Sequence, residues 1–155
     1  MVNRTRREML SLVAAGSLAL SGCVTSESPP PGVAVEDIEF ENYSPESRTF
    51  EYQVNRGDEV VVDSSVTVEP EPVDGDNEGY WATEVVEHES LHDRAVYTFR
   101  VRLAGDDEWR LEFTFDGEDY TCLSLQASVN TRGGMAVSSG EVPASRCEAL
   151  TSKPE

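Results

Sequence analysis

The stretch Tyr97-Thr98-Phe99-Arg100-Val101-Arg102-Leu103 alternates apolar and polar residues one for one. After Ala104-Gly105-Asp106-Asp107 the same pattern resumes in Glu108-Trp109-Arg110-Leu111-Glu112-Phe113-Thr114-Phe115. A period of two sends alternate side chains to opposite faces of an extended chain, so each run reads as a strand with one face in a core and one in water. The Gly-Asp-Asp sequence between them is turn chemistry that separates the two runs.

The same reading extends in both directions. Ile38 and Phe40 alternate with Asp37, Glu39 and Glu41. Phe50, Tyr52 and Val54 share a face opposite Thr49, Glu51 and Gln53. Val60, Val62, Val66 and Val68 are all even-numbered, with Glu59, Asp63, Thr67 and Glu69 between and beside them, and Leu123, Leu125, Ala127 and Val129 form an odd-numbered set. Turn signals at Arg56-Gly57-Asp58, Asp74-Gly75-Asp76, Asp116-Gly117 and Gly133-Gly134 separate the runs. Strands at this spacing predict an all-β domain, an antiparallel β-sandwich of immunoglobulin-like architecture with about seven or eight strands. No stretch holds a helical period for long. The domain is expected over 35–150, with a tail at 151–155.

The full chain has 155 residues, with 12 Lys+Arg against 30 Asp+Glu and a net charge of −18. That balance argues against nucleic acid as a partner, because phosphate recognition needs clustered Arg and Lys. Lys153 is the sole lysine, and the other basic residues are arginines. Short, strongly hydrated carboxylates in place of long-stemmed lysines keep a surface wet when salt competes for water. The composition resembles that of exported proteins of extremely halophilic archaea.

Residues 1–22 read as an address. A basic tip, Arg4 to Arg7, precedes the uncharged run Leu10–Leu20, which is far short of the roughly 20 residues needed to span a bilayer. Within it, Thr5-Arg6-Arg7-Glu8-Met9-Leu10 resembles a twin-arginine translocation signal, carried by Arg6 and Arg7. Leu20-Ser21-Gly22-Cys23 resembles the lipobox of exported lipoproteins. The resemblance covers about the first 25 residues and implies export, cleavage before Cys23 and lipid attachment to its thiol. The protein would then sit on the outer face of the cell membrane, held by that lipid. Removing 1–22 takes away Arg4, Arg6, Arg7 and Glu8, which moves the net charge from −18 to −20. Residues 23–34, with Pro29-Pro30-Pro31-Gly32 at their centre, read as a lipidated N-terminus and an extended spacer.

Assigning Cys23 to the lipid leaves Cys122 and Cys147, which in an extracytoplasmic protein imply a disulfide. Cys122 is out of phase with Leu123 and Leu125, so either a bulge intervenes or the bond lies on the outer face.

His88-Glu89-Ser90-Leu91-His92 is a literal H-E-x-x-H and holds the only two histidines. On an α-helix this spacing would let His88 and His92 bind zinc, with Glu89 as general base. The following Arg94-Ala95-Val96-Tyr97-Thr98-Phe99 alternates like a strand, however, and no third histidine exists. The segment therefore reads as a strand end and tight turn. Asp74-Gly75-Asp76-Asn77-Glu78-Gly79 matches the first half of a calcium loop, but position twelve is Val85, which cannot ligate. No Ser-His-Asp set or phosphate-cradling loop is present in the pattern. The expectation is a non-catalytic structural or binding module without a cofactor, anchored to the membrane through Cys23, with a protein or small-molecule partner left open. The alternative is a zinc-dependent hydrolase built on His88, Glu89 and His92.

Overall fold

A computed structural model describes residues 32–73 and 79–152. Its eight strands are β1 (Ala34–Asn42), β2 (Arg48–Arg56), β3 (Glu59–Val68), β4 (Ala82–Val86), β5 (Tyr97–Leu103), β6 (Leu111–Phe115), β7 (Cys122–Val129) and β8 (Met135–Glu141). One helix, α1 (Ala144–Thr151), follows. The strands form two four-stranded sheets, ordered β4-β1-β7-β8 and β3-β2-β5-β6. The protein is an all-β sandwich, and the β5–β6 hairpin pairs Phe99 with Phe113 and Val101 with Leu111.

The core takes the apolar residues that the alternation assigns to it. Ile38, Phe40, Phe50, Tyr52, Val54, Tyr97, Phe99, Val101, Leu125, Ala127 and Val129 all lie at or below 1% exposure. Phe40 packs between Phe50 and Tyr52, with ring centroids 5.2 and 4.8 Å away, so one aromatic from the first sheet bridges two from the second. Such tilted contacts add to the burial of the rings themselves.

Several expectations need correcting. The antiparallel sandwich holds with one local exception, since β1 and β7 run parallel, Phe40 facing Ala127 and Asn42 facing Val129. These strands have no direct connection, so no hairpin dictates their direction. The core begins before residue 35: Val33 is fully buried and bridges Ala95, and Ala34 already belongs to β1. A register shift between Val35 and Ile38 lets odd-numbered Val33 and Val35 and even-numbered Ile38 and Phe40 face the same core. A second shift, where Val54 faces Val62 but Asn55 faces Val60, carries Val60 to the outer face at 48% exposure. Trp109 also leaves the expected apolar face. Strand β6 starts only at Leu111, and the Trp109 ring lies over the Arg102 guanidinium at 4.7 Å.

The chain enters the described domain at Gly32, beside the β6–β7 connection. Gly32 N–H donates to the Asp116 carbonyl at 2.8 Å, and a Cβ on Gly117 would stand 2.2 Å from the Gly32 carbonyl oxygen. Both glycines also have positive φ, so this crossing admits no side chain at either position. From there β1 and β7 run together to the opposite end of the sandwich.

Candidate functional site

The H-E-x-x-H segment does not form an α-helix. His88 is extended (φ −130°, ψ 112°), and Glu89–Leu91 make a single 3-10 turn capped by His92. The two imidazoles therefore lack the one-face arrangement of a zincin helix. His88 Nε2 and the Tyr52 hydroxyl share a 2.8 Å hydrogen bond at the edge of the core. Burial holds His88 below its ordinary value of 6.5. His92 instead lines a shallow cleft with Glu36, Arg146, Ala149 and Leu150 on the outer side of β1. Leu91, between them, is a core residue at 1% exposure. Among the described residues no group of three or more His, Cys, Asp or Glu side chains is arranged to hold a metal.

Cys122 and Cys147 are joined in a disulfide with Cα atoms 5.6 Å apart. The bond lies on the outer face of the β4-β1-β7-β8 sheet, which resolves why Cys122 is out of phase. With Ala34 and Val142 it forms a small apolar cluster separate from the main core. The unanticipated helix α1 exists at this point because it is fastened there: Cys147 ties it to β7, and the Arg146 guanidinium clasps the Glu36 carboxylate of β1 through two nitrogens. Eight residues without such attachments would be too short to stay helical in water.

The two outer faces differ in chemistry. On the β3-β2-β5-β6 sheet two arginines pair with carboxylates of neighbouring strands: Arg100 with Glu112 and Arg102 with Glu51, each at 2.6 Å. Arg110 pairs back to Asp106 inside its own turn rather than to a neighbouring strand. Threonine pairs Thr49–Thr67 and Thr98–Thr114 complete that surface.

On the β4-β1-β7-β8 sheet the register places Thr83, Glu41, Ser128 and Ala136 in one outer row and Val85, Glu39, Gln126 and Ser138 in the next. No arginine lies in either row. Glu41 is only 7% exposed, an unusual burial for a carboxylate. Its two oxygens accept from the Tyr43 hydroxyl at 3.0 Å and the Trp81 indole N–H at 3.2 Å. The rings it holds are themselves open to solvent, Tyr43 at 39% and Trp81 at 50%. Burial, then the charges of Glu41 and Asp37, push the Glu39 carboxyl up, and a hydrogen bond from Gln126 opposes them. Burial and the Glu41 carboxylate likewise push the Tyr43 phenol up. Ser138 Oγ donates to Gln126 Oε1 at 3.0 Å, which continues the second row into β8. The Thr83 hydroxyl, opposite Glu41, is buried without a partner.

Behind these rings stands a polar hub. Asn42 is fully buried, and its Nδ2 donates to the carbonyls of Glu46 (2.8 Å) and Val68 (3.0 Å). Its Oδ1 accepts from Ser44 N–H (2.9 Å) and Ser44 Oγ (2.7 Å). The hub fixes the backbone on both sides of Tyr43. Sequence reasoning passed over Tyr43, Trp81 and Asn42. Their one signal is the concentration of Tyr80, Trp81, Asn42 and Tyr43 where the alternation lapses, outside the apolar faces of the predicted strands.

The signal and lipobox residues Arg6, Arg7, Leu20, Ser21, Gly22 and Cys23 lie outside the described residues, as do 74–78 of the calcium-like turn. No helix among the described residues is long and apolar enough to cross a membrane. No protein-family model matches the sequence, and no curated protein matches it.

Proposed function

We propose that this protein is a non-catalytic binding module of a halophile's cell surface, exported by the twin-arginine route and anchored to the outer face of the membrane through lipid on Cys23. The observation that carries the binding role is the contrast between the two sheets. One outer face carries arginines paired with carboxylates of neighbouring strands. The other keeps two solvent-open aromatic rings braced on a buried carboxylate, with hydroxyl and amide groups beside them. Holding large rings in fixed, open positions costs stability without filling a core, and it suits a surface that meets a partner.

The position of that face agrees with anchoring. The proline-rich segment ends where the chain enters at Gly32, and Glu41 and Tyr43 lie at the other end of β1. Nine residues of strand separate the two ends by roughly 27–30 Å. A tether at the near end would place the rings at the end of the domain farther from the anchor.

Fractionation of cells at native salt tests the anchor. The wild-type chain is expected in the membrane fraction and the Cys23→Ser variant in the medium; a Cys23→Ser chain that stays membrane-bound overturns the anchor. A photo-reactive residue in place of exposed Val85 tests the binding face. It is expected to capture a surface component in intact cells, whereas the same probe at Thr114, on the opposite sheet, captures none. Equal capture at both positions overturns the assignment of the face.

A further inference from the structure

We infer that the occupant of this face is a neutral saccharide chain, seated against Trp81 and Tyr43 and hydrogen-bonded by Glu39, Gln126 and Ser138. The inference rests on the binding-module reading and supplies its ligand class.

Charge complementarity selects the class. Asp37, Glu39 and Glu41 follow one another along β1, and the Glu39 carboxyl is pushed up by its burial and then by the charges of Glu41 and Asp37. An anionic polymer is repelled by such a ridge, and a second copy of this chain would bring the same ridge against it. A cation would find Glu41 already occupied, since both oxygens accept bonds from the rings it braces. At molar salt the Debye length of about 3 Å also removes most of the Coulomb attraction that a cation would need.

Sugars meet what remains. The negative face of an aromatic ring attracts the weakly positive C–H face of a pyranose, and this contact depends little on salt. Trp81 is half exposed, yet its indole N–H is tied to Glu41, so the ring is oriented before any ligand arrives. Beyond the rings, the row Glu39–Gln126–Ser138 offers acceptors and an amide at successive strand spacings of about 4.8 Å. That interval suits hydroxyls spread along a chain of rings. The neighbouring positions Thr83, Ser128 and Ala136 are small, so the surface is shallow enough for a polymer to lie across it.

The test is calorimetric titration of the full folded domain at molar salt with hexamers of β-1,4-glucose, β-1,4-N-acetylglucosamine and α-1,4-glucose, followed in parallel by tryptophan fluorescence. At least one hexamer is expected to bind saturably in the micromolar-to-millimolar range. Trp81→Ala should weaken it about tenfold or more, as loss of a central aromatic contact does. Trp109→Ala, on the opposite sheet, should leave it unchanged. Glu41→Gln, with the strand circular dichroism retained, should weaken it several-fold by releasing the rings. No saturable binding of any hexamer at millimolar concentration overturns the proposal, and so does binding that Trp81→Ala does not alter. Capture of a protein by the Val85 probe overturns the saccharide while leaving the binding-module reading intact. Saturable binding of spermidine instead of any hexamer overturns it in favour of a cationic ligand.

Discussion

The Tyr52 hydroxyl lies 2.8 Å from Nε2 of His88, and this bond ties the turn before β5 to the aromatic centre of the sandwich. Because burial disfavours the imidazolium, the folded protein binds that proton less readily than the unfolded chain does. Stability contributed by His88 is therefore present above the unfolded value of 6.5 and is lost as pH falls from there toward the lower folded value. The thermal midpoint at constant salt is expected to drop as pH falls below the ordinary histidine value of 6.5. His88→Gln should flatten that slope while leaving the midpoint at high pH close to wild type, because glutamine still meets the Tyr52 hydroxyl. An unchanged slope in the variant would assign the pH response to other groups.

The Cys122–Cys147 bond closes a 25-residue separation across a cluster apart from the main core. Chain-entropy arguments give such a crosslink about 3–4 kcal/mol. The Cys122→Ser/Cys147→Ser double variant is expected to keep the strand signal in circular dichroism while its midpoint falls by about 10–15 °C. Helix α1 should exchange its amide protons far faster than β7 in that variant. Loss of the strand signal itself would show that the bond is a condition of the fold and not a fastening for the helix.

Asn42 makes four hydrogen bonds while fully buried. Asn42→Ala strands the Val68 and Glu46 carbonyls and opens a small void, at an expected cost of about 2–4 kcal/mol in chemical denaturation. Ser44→Ala removes only the Oγ bonds and should cost about 1 kcal/mol. Equal effects from the two would mean that water replaces the asparagine.

These two kinds of residue show why the sequence disclosed the fold better than the site. Phe99 and Val101, or Phe50 and Tyr52, declare themselves through alternation, since a period of two has one physical meaning in an extended chain, whereas Phe113 in the same pattern stays 38% exposed. The pattern also contains its own failures. Val60 keeps an even number yet faces water, because the shift opposite Asn55 changes the parity of the strand, and nothing in the residue types near it encodes that shift. Helix α1 was illegible because its existence depends on attachments at Cys147 and Arg146 rather than on its own propensity. The Glu41–Tyr43–Trp81 cluster joins residues 40 positions apart through a strand pairing, β1 with β4, whose shorter member gives a weak periodic signal. The H-E-x-x-H spacing, by contrast, was conspicuous in the sequence and has no corresponding helix in the structure.

The acid excess leads to a prediction about solvent. Along β1 the Glu39 carboxyl is held up by burial and by the charges of Glu41 and Asp37, so ionising it in the folded state works against its neighbours. The sign follows: a carboxyl raised on folding favours the native state when protonated and opposes it once pH rises past the folded value. At neutral pH that opposition persists, and added salt screens the part due to Glu41 and Asp37 but not the part due to burial. The Debye length is about 3 Å at 1 M salt and about 10 Å at 0.1 M, so carboxylates on alternate residues of one strand are shielded in the first case and not in the second. The domain is expected to unfold cooperatively in molar salt and to lose that cooperativity near or below about 0.1 M. Glu39→Gln removes one charge from the ridge and keeps an amide beside Gln126, so it should shift the salt midpoint for folding downward. Glu112→Gln, which removes the partner of Arg100 on the opposite sheet, should shift it upward or leave it in place. Circular dichroism across a salt titration reads all three proteins. If wild type keeps its structure at millimolar salt, the carboxylate excess is not an adaptation to brine.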